Sequence, residues 1–346
     1  MDLLDRQGKY SNGFCHWPQP AWRRPDGTWV PSVANFTSLA TPGQVGSGHT
    51  GLVTLLHEGG HAAHFANIDQ PSPFFSQERA PMSVAYAENQ SIFLEYLHED
   101  AAWLGRFARN AAGRVIPWEV IEKHIRATHP YSVTSLRAML AVPYFEKRLY
   151  ELPEAELSVE TLLRMAAEVE RDIQGGPASR PLLCVPHILA DEASCYYHGY
   201  VLAEMSVHQT RAHFLSVYGT IVDNPNVGRD LTERYWRPGN GTAFLDLVKG
   251  LTGKSLVADA WVKALGEDLE HKLTSEKAEY QKAVAAGARV KLEDADLGMR
   301  VLIKDGDDVV CDSNDAGLGA LCRKFSAWVE AKSRLRPRRE GCGRLC

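Results

Sequence analysis

The amino-acid sequence predicts a mainly α protein with a few short strands near its N-terminus and a small C-terminal appendage. Three observations lead there. Residues 1–48 are rich in Gly, Pro, Trp and Ser and lack helical periodicity. From Thr50 to about residue 286, apolar residues recur at the three- and four-residue spacing of helices. After about residue 290 the pattern turns to the alternation of a strand pair around an Asp-Gly step.

The elements follow in order. WPQPAWRRPDGTW reads as loop and turn, with a hairpin at Pro25-Asp26-Gly27. GLVTLLHEGGHAAHFANI has helical spacing, and Thr50 is the expected N-cap. A loop containing Pro71, Pro73 and Pro81 separates it from a second helix expected over residues 82–109. Further helices are expected over about 117–128, 132–150 and 157–173. GGPASRP at 175–181 breaks the pattern, which resumes over about 190–218, 242–250 and 255–286. GMRVLIKDGDDVVCD predicts a hairpin turning at Asp305-Gly306, and a last helix is expected over 315 to about 334. The sequence divides into residues 1–290 and an appendage, 291–346, of hairpin, helix and basic tail.

Composition narrows the classes of function. The chain has 346 residues, 45% hydrophobic and 23% charged, with a net charge of -5. That is ample apolar material for a core and excludes wholesale disorder. The charge balance gives no reason to expect nucleic acid. Seven cysteines, an odd number without a CxxC pair, argue against a disulfide scaffold or a cysteine-rich zinc module. The N-terminus has no signal-like apolar run and no stretch approaches a membrane span, so the expectation is a cytoplasmic protein with reduced thiols. The basic tail has Gly343 where a prenylation box needs cysteine.

The informative motif is His57-Glu58-Gly59-Gly60-His61. On a helix, residues i and i+4 lie about 40° apart around the axis, so both imidazoles can reach one ion. Glu58 sits beside them, placed to take a proton from water held there. Zinc suits two histidines and a carboxylate with a fourth position open. Two successive glycines each cost a helix about 1 kcal/mol relative to alanine, which points to close approach of another backbone or of substrate. HExxHxxGxxH fails at His64 and Asn67, so the third ligand lies elsewhere. Glu88, 27 residues beyond His61 on the next helix, is the candidate. Glu95 and Glu99 share its expected face. They are either a solvated acidic stripe or, for Glu95, the group that orients a ligand histidine. His64, one turn beyond His61, is read as a packing residue or as one that supports a ligand from behind, rather than as a ligand. Gly43 to Thr50 has phosphate-loop spacing, but His49 stands where lysine is needed and no clear strand precedes it; its glycines are read as letting the loop flex or pass close to the sheet.

With these residues assembled, the chain resembles the thimet-oligopeptidase family of zinc metallopeptidases, which includes neurolysin and oligoendopeptidase F. DLLDRQGKYSNGFC is similar to the segment that opens the family's catalytic half, and VANF at 33–36 to the strand after it. HTGLVTLLHEGGHAAHF resembles the family's extended zinc helix, including His49, Thr54, Leu55 and His64. AENQSIFLE resembles the segment carrying the glutamate ligand, and VPHILADEASCYYHGYVLAEM the His…Tyr-x-x-Tyr substrate loop. The resemblance covers roughly residues 1–286.

The resemblance implies a zincin-like (gluzincin) helical catalytic domain without the family's upstream helical lobe. It implies one Zn2+ per chain on His57, His61 and Glu88, with Glu58 as general base. Tyr200 and His187 would donate to the developing oxyanion, and Tyr197 would help position substrate. The implied activity is endopeptidase cleavage of short peptides. The alternative is a weak or inactive peptide-binding fragment that needs a partner lobe. Expected partners are short peptides, with a second copy or a partner chain covering the face left by the missing lobe, and neither nucleic acid nor membrane.

Overall fold

A computed structural model describes residues 1–335, apart from 11–12, 42, 75–81, 111, 177–179 and 191–192; for 333–335 it gives the backbone alone. Pro81, most of the basic tail, Cys342 and Cys346 lie outside the described residues.

Short strands fill the N-terminal stretch: β1 (Asp2–Leu4), β2 (Phe14–Gln19), β3 (Trp22–Arg23), β4 (Trp29–Val30) and β5 (Val33–Ala40). β3 and β4 form the expected hairpin, with Gly27 at φ 83° and Asp26 Oδ1 accepting from Thr28 N at 2.9 Å. The main sheet has the order β2-β5-β1-β6-β7, in which β6 (Leu302–Asp305) and β7 (Asp308–Asp312) come from the far end of the chain. β1 runs parallel to both β5 and β6, so the C-terminal hairpin continues the N-terminal sheet. Lys9 locks this sheet from beneath. Its ammonium donates to the carbonyls of Asp2, Leu4 and Ser38 at 2.8, 3.0 and 2.6 Å and lies 3.2 Å from Asp2 Oδ1.

The rest is helical. α1 (Ser47–Asn67) and α2 (Val84–Glu95) are followed by α3 (Ala101–Phe107), α4 (Trp118–Thr128), α5 (Ser132–Tyr150) and α6 (Val159–Val169). A short turn, α7 (Pro186–Leu189), precedes α8 (His198–Tyr218), α9 (Pro225–Leu231), α10 (Phe244–Thr252), α11 (Asp259–Leu265) and α12 (Leu269–Ala286). α13 (Ser313–Leu335) is kinked at Ala316 and Gly317. Among the described residues, no helix is long and apolar enough to cross a membrane.

Several boundaries differ from the expectation, each for a local reason. α1 begins one turn before Thr50, because Gly46 adopts φ 85° and its carbonyl accepts from His49 N and Thr50 N. The glycines at 43, 46 and 48 approach nothing; Gly51 is the one against the sheet, its would-be Cβ 3.1 Å from the Ala40 Cβ. The 82–109 segment is two helices, since Asp100 Oδ1 caps α3 by accepting from Ala102 N and Trp103 N at 3.0 and 3.1 Å. The 255–286 segment is likewise split, with Asp268 capping α12 through His271 N at 3.0 Å. The 190–218 segment becomes helical only at His198.

The largest core cluster binds α2 to α8, α9 and α10 through Tyr86, Phe93, Phe214, Tyr235, Trp236 and Val248. Its polar groups are matched: Trp236 Nε1 donates to Gln90 Oε1 at 2.9 Å, and Gln90 Nε2 to the Tyr86 carbonyl at 3.0 Å. α1 lies between this core and the sheet. The motif helix is therefore fixed on both sides.

Candidate metal centre and active site

Two close helix crossings build the site. A Cβ on Gly60 would stand 2.5 Å from the Gln90 carbonyl oxygen and 2.7 Å from Ser91 Cα. Only glycine lets α1 lie this close to α2, which brings Glu88 to the histidines. Gly59 faces open space, so the expectation of close backbone approach holds for Gly60 alone. At the second crossing a Cβ on Gly199 would stand 2.2 Å from Val84 Cγ2, so the start of α8 sits directly on the start of α2. The loop before α8 is held by Glu146 of α5, whose Oε1 accepts from Cys195 N at 2.8 Å, with Cys195 at φ 54°.

His57 Nε2 and His61 Nε2 lie 3.4 and 3.7 Å from the same oxygen, Glu88 Oε2. The donor atoms of all three residues fall within 4.8 Å of one another. Ligands about 2.0–2.2 Å from a tetrahedral zinc stand about 3.4 Å apart, so the spacing fits the ion. The chemistry of the donors fits as well. His57 Nδ1 is 2.7 Å from Glu95 Oε2, which fixes the tautomer that leaves Nε2 free. Buried His61 points Nε2 toward Glu88 Oε2 at 3.7 Å, beyond hydrogen-bond distance, which leaves that lone pair open to a metal.

The charges point the same way. Burial favours a neutral Glu88, but the His57 hydrogen bond, the charges of His61 and His57 and the Tyr196 hydroxyl outweigh it and bring its pKa to about 2. Burial pushes His57 down, yet Glu88 and Glu95 hold it well above its ordinary value. Burial alone dominates at His61, which falls to about 4. Two carboxylates around a single imidazole make a site that favours a cation.

Other expected residues cluster here. Glu58 is buried on α1, and the missing Cβ of Gly13 leaves room for it: that atom would stand 3.2 Å from Glu58 Oε1. Tyr200 OH lies 3.2 Å from His187 Nε2. Burial pushes the Tyr200 hydroxyl well up, with Glu88, Tyr197 and Glu58 adding to it, so it stays protonated. Burial pushes His187 down, keeping it neutral. Tyr197 packs its ring edge-on against His187 and Tyr200, with centroids 5.0 Å away in each case. His64 points away from the metal donors. Its Nε2 meets Tyr86 OH at 2.9 Å, and that hydroxyl donates to the Tyr235 carbonyl at 2.7 Å, so His64 is the donor to Tyr86. Glu99 does not share the helical face of Glu88 and Glu95, because α2 ends at Glu95; its Oε1 lies 3.6 Å from His98 Nε2 instead.

Two residues escape the sequence reading. Tyr196 OH donates to Glu88 Oε1 at 2.6 Å, and Ser91 Oγ donates to Glu88 Oε2 at 3.0 Å. Ser91 had a signal, three residues after Glu88 on the same helical face. Tyr196 had none that distinguished it from Tyr197.

An HExxH helix joined by a glutamate from the next helix gives the donor set of a metallopeptidase-type metal centre. The comparisons narrow this class: the sequence model of peptidase family M3 matches residues 1–267, and the chain belongs to that family. It is 23% identical over 269 residues to the mitochondrial intermediate peptidase of Arabidopsis thaliana, covering 75% of this chain and 36% of that protein. Its fold is similar to the solved structure of BsuCP, with a TM-score of 0.52, 17% identity, and coverage of 70% of this chain and 51% of that one. The M32 carboxypeptidase from Deinococcus radiodurans R1 has a TM-score of 0.48 at 16% identity, over 71% of this chain and 52% of that one. The chain thus spans about a third of the matched relative's length and half that of the solved structures.

Proposed function

We propose that the chain is a zinc-dependent endopeptidase acting on short peptides. The observation that supports this most is the convergence of His57 and His61 on Glu88 Oε2, with Glu58 between the two histidines in sequence and the Tyr200 hydroxyl close by. Zinc, when bound, supplies a Lewis acid that activates water and polarises a carbonyl. Glu58 takes the proton of the attacking water and returns it to the leaving amine. Tyr200 stays protonated and donates to the oxyanion as charge develops there, while neutral His187 holds the hydroxyl in place. Tyr197 helps position substrate through the same aromatic group. Glu95, Tyr196 and Ser91 orient His57 and Glu88.

Glu58→Gln tests the assignment. The variant should keep its zinc, measured by elemental analysis, and lose at least about 100-fold in turnover. Turnover near the parent rate would remove Glu58 from the base role.

A further inference from the structure

A cavity with both polar and apolar walls adjoins the segment that directly follows Glu95. It has a volume of about 360 Å³ and is walled by Tyr96, Glu99, His124, Glu204, His208 and Trp261, among others. Two of these residues tie it to the site already described. Tyr96 directly follows Glu95, which holds His57. Glu204 follows Tyr200 by one turn of α8, and residues so spaced lie about 6 Å apart on one face.

The charges around the cavity do not balance. Lys272 on its wall lies 3.4 Å from Glu276, and nearby Arg211 lies 2.9 Å from Asp100, so each cation already has a carboxylate. Among the described residues, Glu99 has only the His98 imidazole at 3.6 Å, and Glu204 has no cationic partner, only the His208 ring at 3.8 Å. Glu204 Oε2 accepts from Tyr96 OH at 2.9 Å, while Oε1 makes no hydrogen bond among the described residues. The Glu204 side chain is only 16% exposed. Burial, reinforced by Glu95 and Glu99, pushes its pKa up to about 7 against the Tyr96 bond. The His208 ring, neutral because burial lowers its pKa to about 4, stacks on Trp261 with centroids 5.8 Å apart. A partly buried carboxylate with a free oxygen and aromatic walls is a receptor for a cation on a long apolar stem.

We propose that this cavity is a specificity pocket for a basic side chain of the peptide, with Glu204 as the charge partner and Glu99 at its mouth. The proposal rests on the peptidase reading above.

Two measurements test it separately from the peptidase reading. In the first, the parent protein and Glu204→Gln cleave quenched peptides that differ only by lysine or norleucine at each position in turn. At one position lysine should be preferred by roughly 10- to 100-fold in kcat/KM, chiefly through KM, and the preference should collapse toward one in Glu204→Gln. In the second, the Glu58→Gln protein is titrated calorimetrically with the same peptides, and the lysine peptide should bind more tightly by a similar factor. Calorimetric discrimination without any cleavage by the parent would leave the pocket standing and sink the peptidase reading. Equal affinities for the two peptides, or a lysine preference that survives in Glu204→Gln, would overturn the pocket. Should Glu204→Gln misfold, Glu99→Gln at the exposed mouth should lower the preference part-way, and an unchanged preference there would count against the pocket.

Discussion

The two glycines inside the metal helix should respond oppositely to alanine. At Gly59 a Cβ meets nothing within 4 Å, so Gly59→Ala should gain up to about 1 kcal/mol from helix propensity. At Gly60 the new Cβ would stand 2.5 Å from the Gln90 carbonyl, where ordinary contact begins at 3.4 Å. The obstacle is backbone, so relief requires α1 and α2 to part by roughly 1 Å, an overpacking cost of about 1–3 kcal/mol. Both positions share the propensity gain, so the difference in stability between the variants isolates the packing cost at about 1–3 kcal/mol. Denaturant midpoints at constant m-value would measure it. The same movement carries Glu88 away from His57 and His61, now 3.4 and 3.7 Å from its Oε2. Metal sites tolerate about 0.2 Å in ligand distance, so Gly60→Ala should also bind zinc more weakly in competition with a chelator. A Gly60→Ala protein as stable as Gly59→Ala, with unchanged zinc affinity, would refute the packing argument.

Further outcomes follow from other contacts. Tyr196→Phe removes the donor to Glu88 Oε1 and should weaken zinc binding roughly 10- to 100-fold without unfolding the chain; equal affinity would return Tyr196 to simple packing. Tyr200→Phe should lower kcat by about 100- to 1,000-fold at full zinc content, whereas parallel loss of zinc would mark a structural role. His64 is neutral in the fold, its pKa pushed by burial from 6.5 to about 3. The unfolded chain therefore takes up the proton first. Stability should be complete above pH 6.5 and fall as pH drops toward 3, by a contribution on the order of 4 kcal/mol. His64→Gln should flatten that acid slope in the metal-free protein, and curves that run parallel to the parent's would contradict the assignment.

How far the sequence revealed this arrangement depends on the range of the interactions. His57, Glu58 and His61 occupy one helical turn, so their geometry follows from spacing alone. Glu88 was a candidate from its place on the next helix and the family resemblance implied its ligand role, but its approach depends on Gly60 meeting Gln90 and Ser91 across two helices. The adjacent Tyr196 and Tyr197 could not be told apart by pattern. Their directions are set by the start of α8 at His198 and by Gly199 pressed on Val84. The splits at Asp100 and Asp268 were legible in principle, as both are N-caps, but helical spacing on either side masked them. The pairing of β1 with β6 joins Asp2 to Lys304, a separation that no local pattern records.

Adding the purified chain to a quenched fluorescent peptide library, with and without a zinc chelator, decides whether this site hydrolyses peptides. The expected result is cleavage that the chelator abolishes and added zinc restores. A folded protein that holds one zinc on His57, His61 and Glu88 yet cleaves nothing, or cleavage indifferent to the chelator, would contradict it.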